Sequence, residues 1–125
     1  MKITPASQEL IDHLRSKGLA NPNHCYSNAA QIVLGVLRGE GNYILCWVWN
    51  DGKKHGHAVI EYKGQYLDVT LQANGGIGSR YEFVKSFTKA ELEEFITQFG
   101  GDPNGEFLPP ALLDNGKIQC IKVEI

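Results

Sequence analysis

The chain has 125 residues, a length typical of one domain, and we expect a single domain over residues 1–125. Twelve basic residues against 14 acidic ones give a formal net charge of −2, which argues against a nucleic-acid partner, because such proteins carry a basic surface. The sequence has no apolar leader and no stretch long enough to span a bilayer. We therefore expect a cytoplasmic protein without a membrane partner, or one exported without a cleaved signal. The oligomeric state stays open.

The first third of the chain predicts two helices. We expect the first to begin near Thr4, which can cap it, and to end at Gly18. A turn-rich stretch follows over 21–24, and apolar residues at helical spacing then predict a second helix over 25–38. Cys25 is therefore expected in the first turn of that helix.

The middle of the chain predicts a mainly antiparallel sheet. One segment is apolar on both faces, which is typical of a central strand, and two alternating segments around Lys63-Gly64 are typical of a hairpin. A glycine-rich loop over 72–79 separates the hairpin from a further strand. The four predicted strands cover residues 43–49, 57–62, 66–71 and 81–87.

The last third predicts one more helix and a final strand. A capping box at Thr88 to Glu91 opens a helix that is expected to end near Gly100. Alternation over 117–125 predicts the strand. The order of these elements predicts an α+β fold in which the N-terminal helices pack on an antiparallel sheet.

Cys25 is the candidate nucleophile. A thiolate attacks a carbonyl carbon far better than a thiol does, and the positive end of a helix macrodipole favours the anion. The unpaired N–H groups of a first helical turn can also donate to a developing oxyanion. Cys46 and Cys120 lie in apolar strand segments and are interpreted as core residues. Because the number of cysteines is odd, we expect reduced thiols rather than a disulfide framework.

His57 and Asp68 are the candidate base and its orienting group. A turn centred on Lys63-Gly64 fixes the hairpin register, and period-2 alternation then puts both side chains on one face as diagonal neighbours. A carboxylate on one imidazole nitrogen fixes the tautomer and leaves the other nitrogen for the thiol. His55 has the same parity and is an alternative base. Glu61 shares the face but lies nearer the hairpin tip, so it ranks below Asp68 as the carboxylate.

Three segments occur in the order cysteine, histidine, aspartate, namely Cys25-Tyr26-Ser27-Asn28-Ala29, Gly56-His57-Ala58-Val59-Ile60-Glu61-Tyr62 and Tyr66-Leu67-Asp68-Val69-Thr70. They resemble the transglutaminase-like superfamily, which has a cysteine at a helix start, a Gly-His-Ala-Trp type strand and an Asp-Pro-Thr type ending. The resemblance covers about residues 21–72. It departs from the family pattern at Val59 and Val69, where an aromatic residue and a proline are usual.

The resemblance implies a papain-like core with a catalytic triad made of Cys25, His57 and Asp68. It further implies a cysteine-dependent amide or acyl hydrolase, such as a peptidase, amidase or deamidase, that works through an acyl-enzyme intermediate. The expected partner is a protein, peptide or small amide substrate. No cofactor and no metal are expected.

The oxyanion donor is not fixed by the resemblance. Some papain-like enzymes place a glutamine several residues before the cysteine, but position 19 is leucine in this chain. The side-chain amides of Asn21 and Asn23 are candidates, as is an indole N–H from Trp47 or Trp49.

Two other classes of protein fit the same residues. The first binds zinc, since His24, Cys25, His55, His57 and Asp68 are of zinc-ligand types, although a Cys-x-x-Cys pair is absent from the sequence. The second is a binding or adaptor module, with a papain-like scaffold that no longer catalyses.

Overall fold

The structure, a computed structural model, describes residues 1–123 and has the predicted α+β class. Helices and antiparallel strands pack around a shared core. In chain order the elements are α1 (Gln8–Ser16), α2 (Cys25–Gly35), β1 (Gly41–Asn50), β2 (Lys53–Tyr62), β3 (Gln65–Leu67), α3 (Val69–Ala73), β4 (Arg80–Phe87), α4 (Lys89–Gln98), β5 (Pro110–Leu112) and β6 (Ile118–Cys120).

The main sheet has the strand order β3-β2-β1-β4, and each neighbouring pair is antiparallel. The predicted hairpin register is confirmed, because Tyr62 faces Gln65 and Ile60 faces Leu67 across β2 and β3. A second, two-stranded sheet pairs β5 with β6. The α4 helix has the predicted capping box, in which Thr88 caps and Glu91 returns a hydrogen bond.

The central strand β1 is buried on both faces, as its sequence predicts. Its residue Leu45 packs into the larger apolar cluster, which includes α2, whereas Ile44 packs into a smaller cluster on the opposite face with Val59. β3 pairs with β2 only over residues 60–62. The helix α2 packs against β2, and its residues Ala29 and Ile32 line a small cavity together with Ala58 and Ile60.

The first helix begins later than predicted. It starts at Gln8 rather than near Thr4, and the Ser7 hydroxyl caps it by accepting the Leu10 N–H at 3.2 Å. The N–H of Thr4 instead donates to the Tyr66 carbonyl at 2.8 Å. A long-range pairing with β3 therefore takes the residue that local sequence favours as a cap.

Two other predicted boundaries are wrong. α2 ends at Gly35 rather than at residue 38, and positive φ angles at Arg38 (51°) and Gly39 (83°) turn the chain away. The strand predicted over 66–71 ends at Leu67, because the Asp68 carboxylate caps α3 at this point.

The remaining differences concern strand length. β2 begins at Lys53, four residues before the predicted start at residue 57. The final strand is confirmed only over Ile118–Cys120, and residues 124 and 125 of that prediction lie outside the described residues.

In residues 1–123 none of the helices combines the length and the apolar character that a membrane crossing requires.

Candidate active site

Cys25 is the first residue of α2, as the sequence predicts, and its side chain is almost fully buried, with 3% of the residue exposed. The preceding residue, His24, provides no side-chain capping bond within residues 1–123. The N–H groups of the first helical turn have no partner within the helix, and the macrodipole is positive at this end. The sulfur therefore lies where an anion is stabilised.

His57 lies on β2 and is buried, with 2% exposed. Its Nε2 is 2.9 Å from Oδ2 of Asp68, and the Cys25 side chain lies close enough to the ring to influence its charge. Because Nε2 is used by the carboxylate, Nδ1 is the nitrogen that remains for the thiol. Burial alone lowers the imidazole pKa, but Cys25 and Asp68 outweigh it and raise the pKa to about 10.

Asp68 is fully buried and accepts three hydrogen bonds. Its Oδ1 accepts the Leu71 N–H at 3.2 Å, as the N-cap of α3. Its Oδ2 accepts from both His57 and the Tyr81 hydroxyl. The carboxylate is thus fixed in one orientation, and Cys25, His57 and Asp68 form one connected group, here called the Cys–His–Asp cluster.

The local folding of the hairpin explains the contact between His57 and Asp68. The register of β2 and β3, continued by one step beyond Ile60 and Leu67, sets Asp68 opposite Val59. Side chains on one face of a strand recur at every second residue, so His57 and Val59 point to the same face. Asp68, which faces Val59, is therefore the diagonal neighbour of His57. The end of β3 at Leu67 then frees the carboxylate to cap α3 as well.

Sequence reasoning missed two polar residues near the cluster, Tyr81 and Asn28. Tyr81 is the main one, since it connects the Gly78 N–H, which it accepts at 2.8 Å, with the Asp68 carboxylate. Asn28 is buried on α2, and its amide donates to the Asn21 carbonyl at 2.9 Å and to the Thr70 hydroxyl at 2.8 Å. A polar side chain one turn after Cys25, on an otherwise apolar helix face, is the signal that could have identified Asn28.

The alternative base and carboxylate occupy other positions. The His55 ring lies 6.4 Å from the His57 ring, centroid to centroid, and burial together with the charge of His57 lowers its pKa. Glu61 accepts a hydrogen bond from the Asn42 amide at 2.8 Å, near the hairpin tip. The imidazole that contacts the buried Asp68 is therefore that of His57.

The other two cysteines differ from Cys25 in their surroundings. Cys46 is fully buried on β1, and burial, reinforced by the charge of Asp68, raises its pKa well above the ordinary range. Cys120 is half-buried, and burial raises its pKa to about 11. All three thiols are free. Within the described part of the chain, no group of three or more histidine, cysteine and acidic side chains is arranged to hold a metal ion.

The four oxyanion candidates are spread around the cluster. The Asn21 amide donates to the Gly18 carbonyl at 3.0 Å, so it is turned toward the end of α1. Asn23 is exposed, with a φ of 62°, and lines a groove beside Cys25. Trp47 packs against the larger apolar cluster, and the Lys54 ammonium lies over its ring, 4.6 Å from the centroid. Trp49 is half-buried with Arg80 over its ring.

Two grooves run past the sequence neighbours of Cys25 and His57, and neither is lined by a side chain of the cluster itself. One, of about 490 Å³, runs past His24 and Ser27, the neighbours of Cys25 in the sequence. The other, of about 280 Å³, runs past His55 and Gly56, the residues before His57. Tyr26 lines both grooves, and its hydroxyl donates to the Leu112 carbonyl of β5 at 3.2 Å. The C-terminal hairpin therefore forms a wall of the site.

Comparison with known proteins gives one local match. No protein-family model matches the chain, and no solved structure matches it. A stretch of 70 residues, 56% of this chain, is 31% identical to the ribosomal RNA small subunit methyltransferase H of Borrelia hermsii. The chain covers 24% of the length of that methyltransferase. A match over a quarter of a protein does not assign this chain to its family.

Proposed function

We propose that this protein is a cysteine-dependent hydrolase that cleaves amide bonds, with Cys25 as nucleophile and His57 as acid and base. One observation supports this most directly. A buried imidazole is paired through Nε2 with a fully buried carboxylate, and the side chain of Cys25 interacts with the same imidazole. Burying an imidazole and a carboxylate together is costly unless they are paired, and a thiol at a helix start adds the group that such a pair activates.

The chemistry follows from this pairing. The Cys25 sulfur, having given its proton to Nδ1 of His57, forms a bond to the carbonyl carbon of the substrate. The carbon–nitrogen bond then breaks, and the imidazolium returns the proton to the departing amine. A water molecule next attacks the thioester and gives a proton to the same nitrogen. The carbon–sulfur bond breaks, and the acid leaves with the thiolate restored.

Asp68 acts in these steps without taking the proton. Its hydrogen bond holds Nε2–H, so that Nδ1 faces the sulfur, and its negative charge favours the imidazolium that appears twice in the cycle. The N–H groups at the start of α2 are placed to donate to the oxyanion, because Cys25 is the first residue of that helix. Asn23, which lines the adjacent groove, is the side-chain candidate for a second donor.

A papain-like, transglutaminase-like core is part of the proposal. A helix that starts with the cysteine packs beside the strand that carries the histidine, and the aspartate directly follows the next strand, in the order that the family uses. In this proposal the two grooves hold the two parts of the substrate, and they approach the cluster through the sequence neighbours of Cys25 and His57. The amine must leave on the imidazole side, past His55 and Gly56, and the acyl part then lies along His24 and Ser27.

The test is selective alkylation. Wild type is treated with a low dose of iodoacetamide at about pH 6.5, and the labelled cysteines are identified by mass spectrometry. Labelling is expected at Cys25 before Cys46 and Cys120, which serve as internal references. The variant His57→Ala is expected to lose this preference, whereas the neighbouring change His55→Ala is expected to keep it.

Three results would count against the proposal. The first is equal labelling of all three cysteines, or labelling at Cys25 that is unchanged in His57→Ala. Either result would show that His57 does not activate the Cys25 thiol. Stoichiometric zinc in the purified protein, released when Cys25 is alkylated, would assign the thiol to a metal instead. A selectively labelled protein that cleaves no member of a broad panel of peptide and amide substrates would indicate a binding module.

A further inference from the structure

We propose that Tyr81 is a positioning residue, which stabilises the ionised Asp68 and thereby sets the lowest pH at which Cys25 is reactive. This inference rests on the proposed function of the Cys–His–Asp cluster. It concerns a residue of β4, distant in sequence from the three members of the cluster.

The geometry gives Tyr81 a defined place. Its hydroxyl donates to Oδ2 of Asp68, the same oxygen that accepts from His57, and it accepts the Gly78 N–H at 2.8 Å. A hydroxyl that accepts from an N–H is left with its own proton for the carboxylate. The Gly78 contact therefore holds the hydroxyl in the orientation that donates to Asp68.

The packing of the ring limits its movement. Tyr81 is buried, with 7% exposed, and packs into the smaller apolar cluster together with Cys46 and Val48. Its ring centroid is 6.3 Å from that of His57. At Gly78, an added Cβ atom would lie 2.5 Å from a Val48 methyl carbon and 2.9 Å from the Trp49 carbonyl oxygen. The loop that supplies the Gly78 N–H thus fits closely against β1.

The physical effect is on the energy of the ionised carboxylate. The ionised Asp68 favours the protonated form of His57, and the protonated His57 in turn favours the thiolate of Cys25. A hydroxyl that donates to Asp68 stabilises the ionised form of the carboxyl group and not its protonated form. Removing the Tyr81 hydroxyl therefore raises the energy of the ionised, reactive cluster relative to the cluster with a protonated carboxyl group, and the acid limb of Cys25 reactivity moves to higher pH.

Other titratable groups around Asp68 stay neutral over the relevant range. Burial, followed by the charge of Asp68, raises the pKa of the Cys46 thiol on β1, and the same two causes raise that of Tyr81. Neither group ionises near neutral pH. His57 is the cationic partner of the carboxylate.

The groups that face Cys25 and His57 from other elements are few. Tyr26 on α2 and Tyr43 on β1 interact with Cys25, and burial raises the pKa of both phenols, so they remain neutral. His55 lies beside His57 on β2, and burial lowers its pKa; Asp114 has the opposite influence on it. Because the pKa of His55 lies below that of an ordinary histidine, His55 could contribute to the acid limb. The same rates are therefore also measured in a protein that carries His55→Ala.

The experiment measures the rate of Cys25 alkylation by iodoacetamide between pH 4 and 9. The variant Tyr81→Phe keeps the ring and removes only the hydroxyl. It is expected to move the midpoint of the acid limb upward by about one pH unit, the size expected for one lost hydrogen bond to a charged group, and to slow labelling about tenfold below that midpoint. Tyr66→Phe, in a tyrosine that packs against the same apolar cluster, is expected to keep the wild-type profile.

A second substitution works in the opposite direction and retains the hydroxyl. 3-Fluorotyrosine at position 81 is a more acidic phenol and a stronger donor, so it is expected to move the acid limb downward. This substitution keeps the proposal testable if Tyr81→Phe proves too unstable to measure. Circular dichroism and urea unfolding establish that each variant is folded at every pH used.

The outcomes separate this inference from the proposed function. If Cys25 labelling in wild type is selective and depends on His57, but Tyr81→Phe and the fluorinated protein both keep the wild-type pH profile, Tyr81 has only a structural role and the inference is wrong. If wild type itself shows no selective labelling, the proposed function fails first, and the inference fails with it. An acid limb that moves in opposite directions in the two proteins supports the inference.

Discussion

Replacement of Asp68 by asparagine tests the centre of the site. The change keeps the shape of the side chain and removes its charge. In the native protein both oxygens accept, Oδ1 from the Leu71 N–H and Oδ2 from His57 and Tyr81. An asparagine has one accepting oxygen, so its NH2 group must face either the Leu71 N–H or the pair formed by His57 and Tyr81.

The size of the effect follows from these three bonds. Each one changes from a bond to a charged group, worth about 1.5–3 kcal/mol, to a neutral one worth about 0.5–1.5 kcal/mol, so the three together lose about 3 kcal/mol. A donor left facing the amide adds about 1–2 kcal/mol. We therefore expect Asp68→Asn to lower the free energy of unfolding by about 4–5 kcal/mol, within the range for the loss of one partner of a buried ion pair.

The same change is expected to affect reactivity through the tautomer of His57. If the amide NH2 faces Nε2, that nitrogen must accept, and Nδ1 carries the proton toward Cys25 and cannot remove one from the thiol. The thiol then lacks both a base and an adjacent imidazolium, and a cysteine without such partners is almost entirely un-ionised at pH 6. Alkylation of Cys25 at pH 6 is therefore expected to slow about 100-fold.

Urea unfolding and the iodoacetamide rate measure the two effects, with Asp12→Asn as the matched control. Asp12 is exposed on α1 and has a weak ion pair with Arg15 at 3.8 Å, so its replacement is expected to change the unfolding free energy by less than about 0.5 kcal/mol. If Asp68→Asn behaves like this control in both measurements, the contact between the imidazole and the carboxylate contributes neither stability nor reactivity, and the reasoning is refuted.

Two further predictions concern packing and pH. In Gly56→Ala, the new Cβ would lie 2.0 Å from the Leu112 carbonyl oxygen and 2.8 Å from the Tyr26 hydroxyl. It should cost about 2–4 kcal/mol in urea unfolding, whereas Gly35→Ala, with open space around it, should not destabilise the protein. For pH, the raised pKa of His57 means that its stabilising contribution is complete below about pH 6.5, the ordinary histidine value, and is lost as the pH rises toward about 10. The unfolding free energy of wild type should therefore fall between pH 7 and 10, and a fall of equal size in His57→Gln would contradict this assignment.

The parts of the fold that the sequence predicts correctly are those set by local rules. The turn at Lys63-Gly64 fixes the register of the β2–β3 hairpin, and with it the contact between His57 and Asp68. The capping box at Thr88 fixes the start of α4. In each case the deciding residues lie within a few positions of one another, so alternation and side-chain capping suffice.

The errors occur where a distant contact competes with a local preference. Thr4 and Ser7 are both suitable caps, and the choice of Ser7 depends on the pairing of Thr4 with Tyr66, 62 positions later. Asp68 continues an alternating pattern and also precedes a Val-Thr pair, and its capping of α3 ends the strand. Local sequence alone cannot rank such alternatives, because the energy that separates them comes from packing.

The approach of Cys25 to His57 could not be derived from the sequence for a related reason. A hairpin register fixes the relative positions of residues within one sheet. The position of a helix on that sheet depends instead on how the apolar side chains of the two elements pack against each other. Here Cys25 begins a helix that packs against β2, and no residue of the hairpin itself specifies that packing. The contact of Tyr81 with Asp68 depends on the same kind of information. It joins a residue of β4 to the end of β3, and these two strands are not neighbours in the sheet. A site of this type thus depends on the packing between its elements as well as on its reactive residues, and a change that shifts α2 relative to β2 is expected to separate Cys25 from His57 without altering either residue.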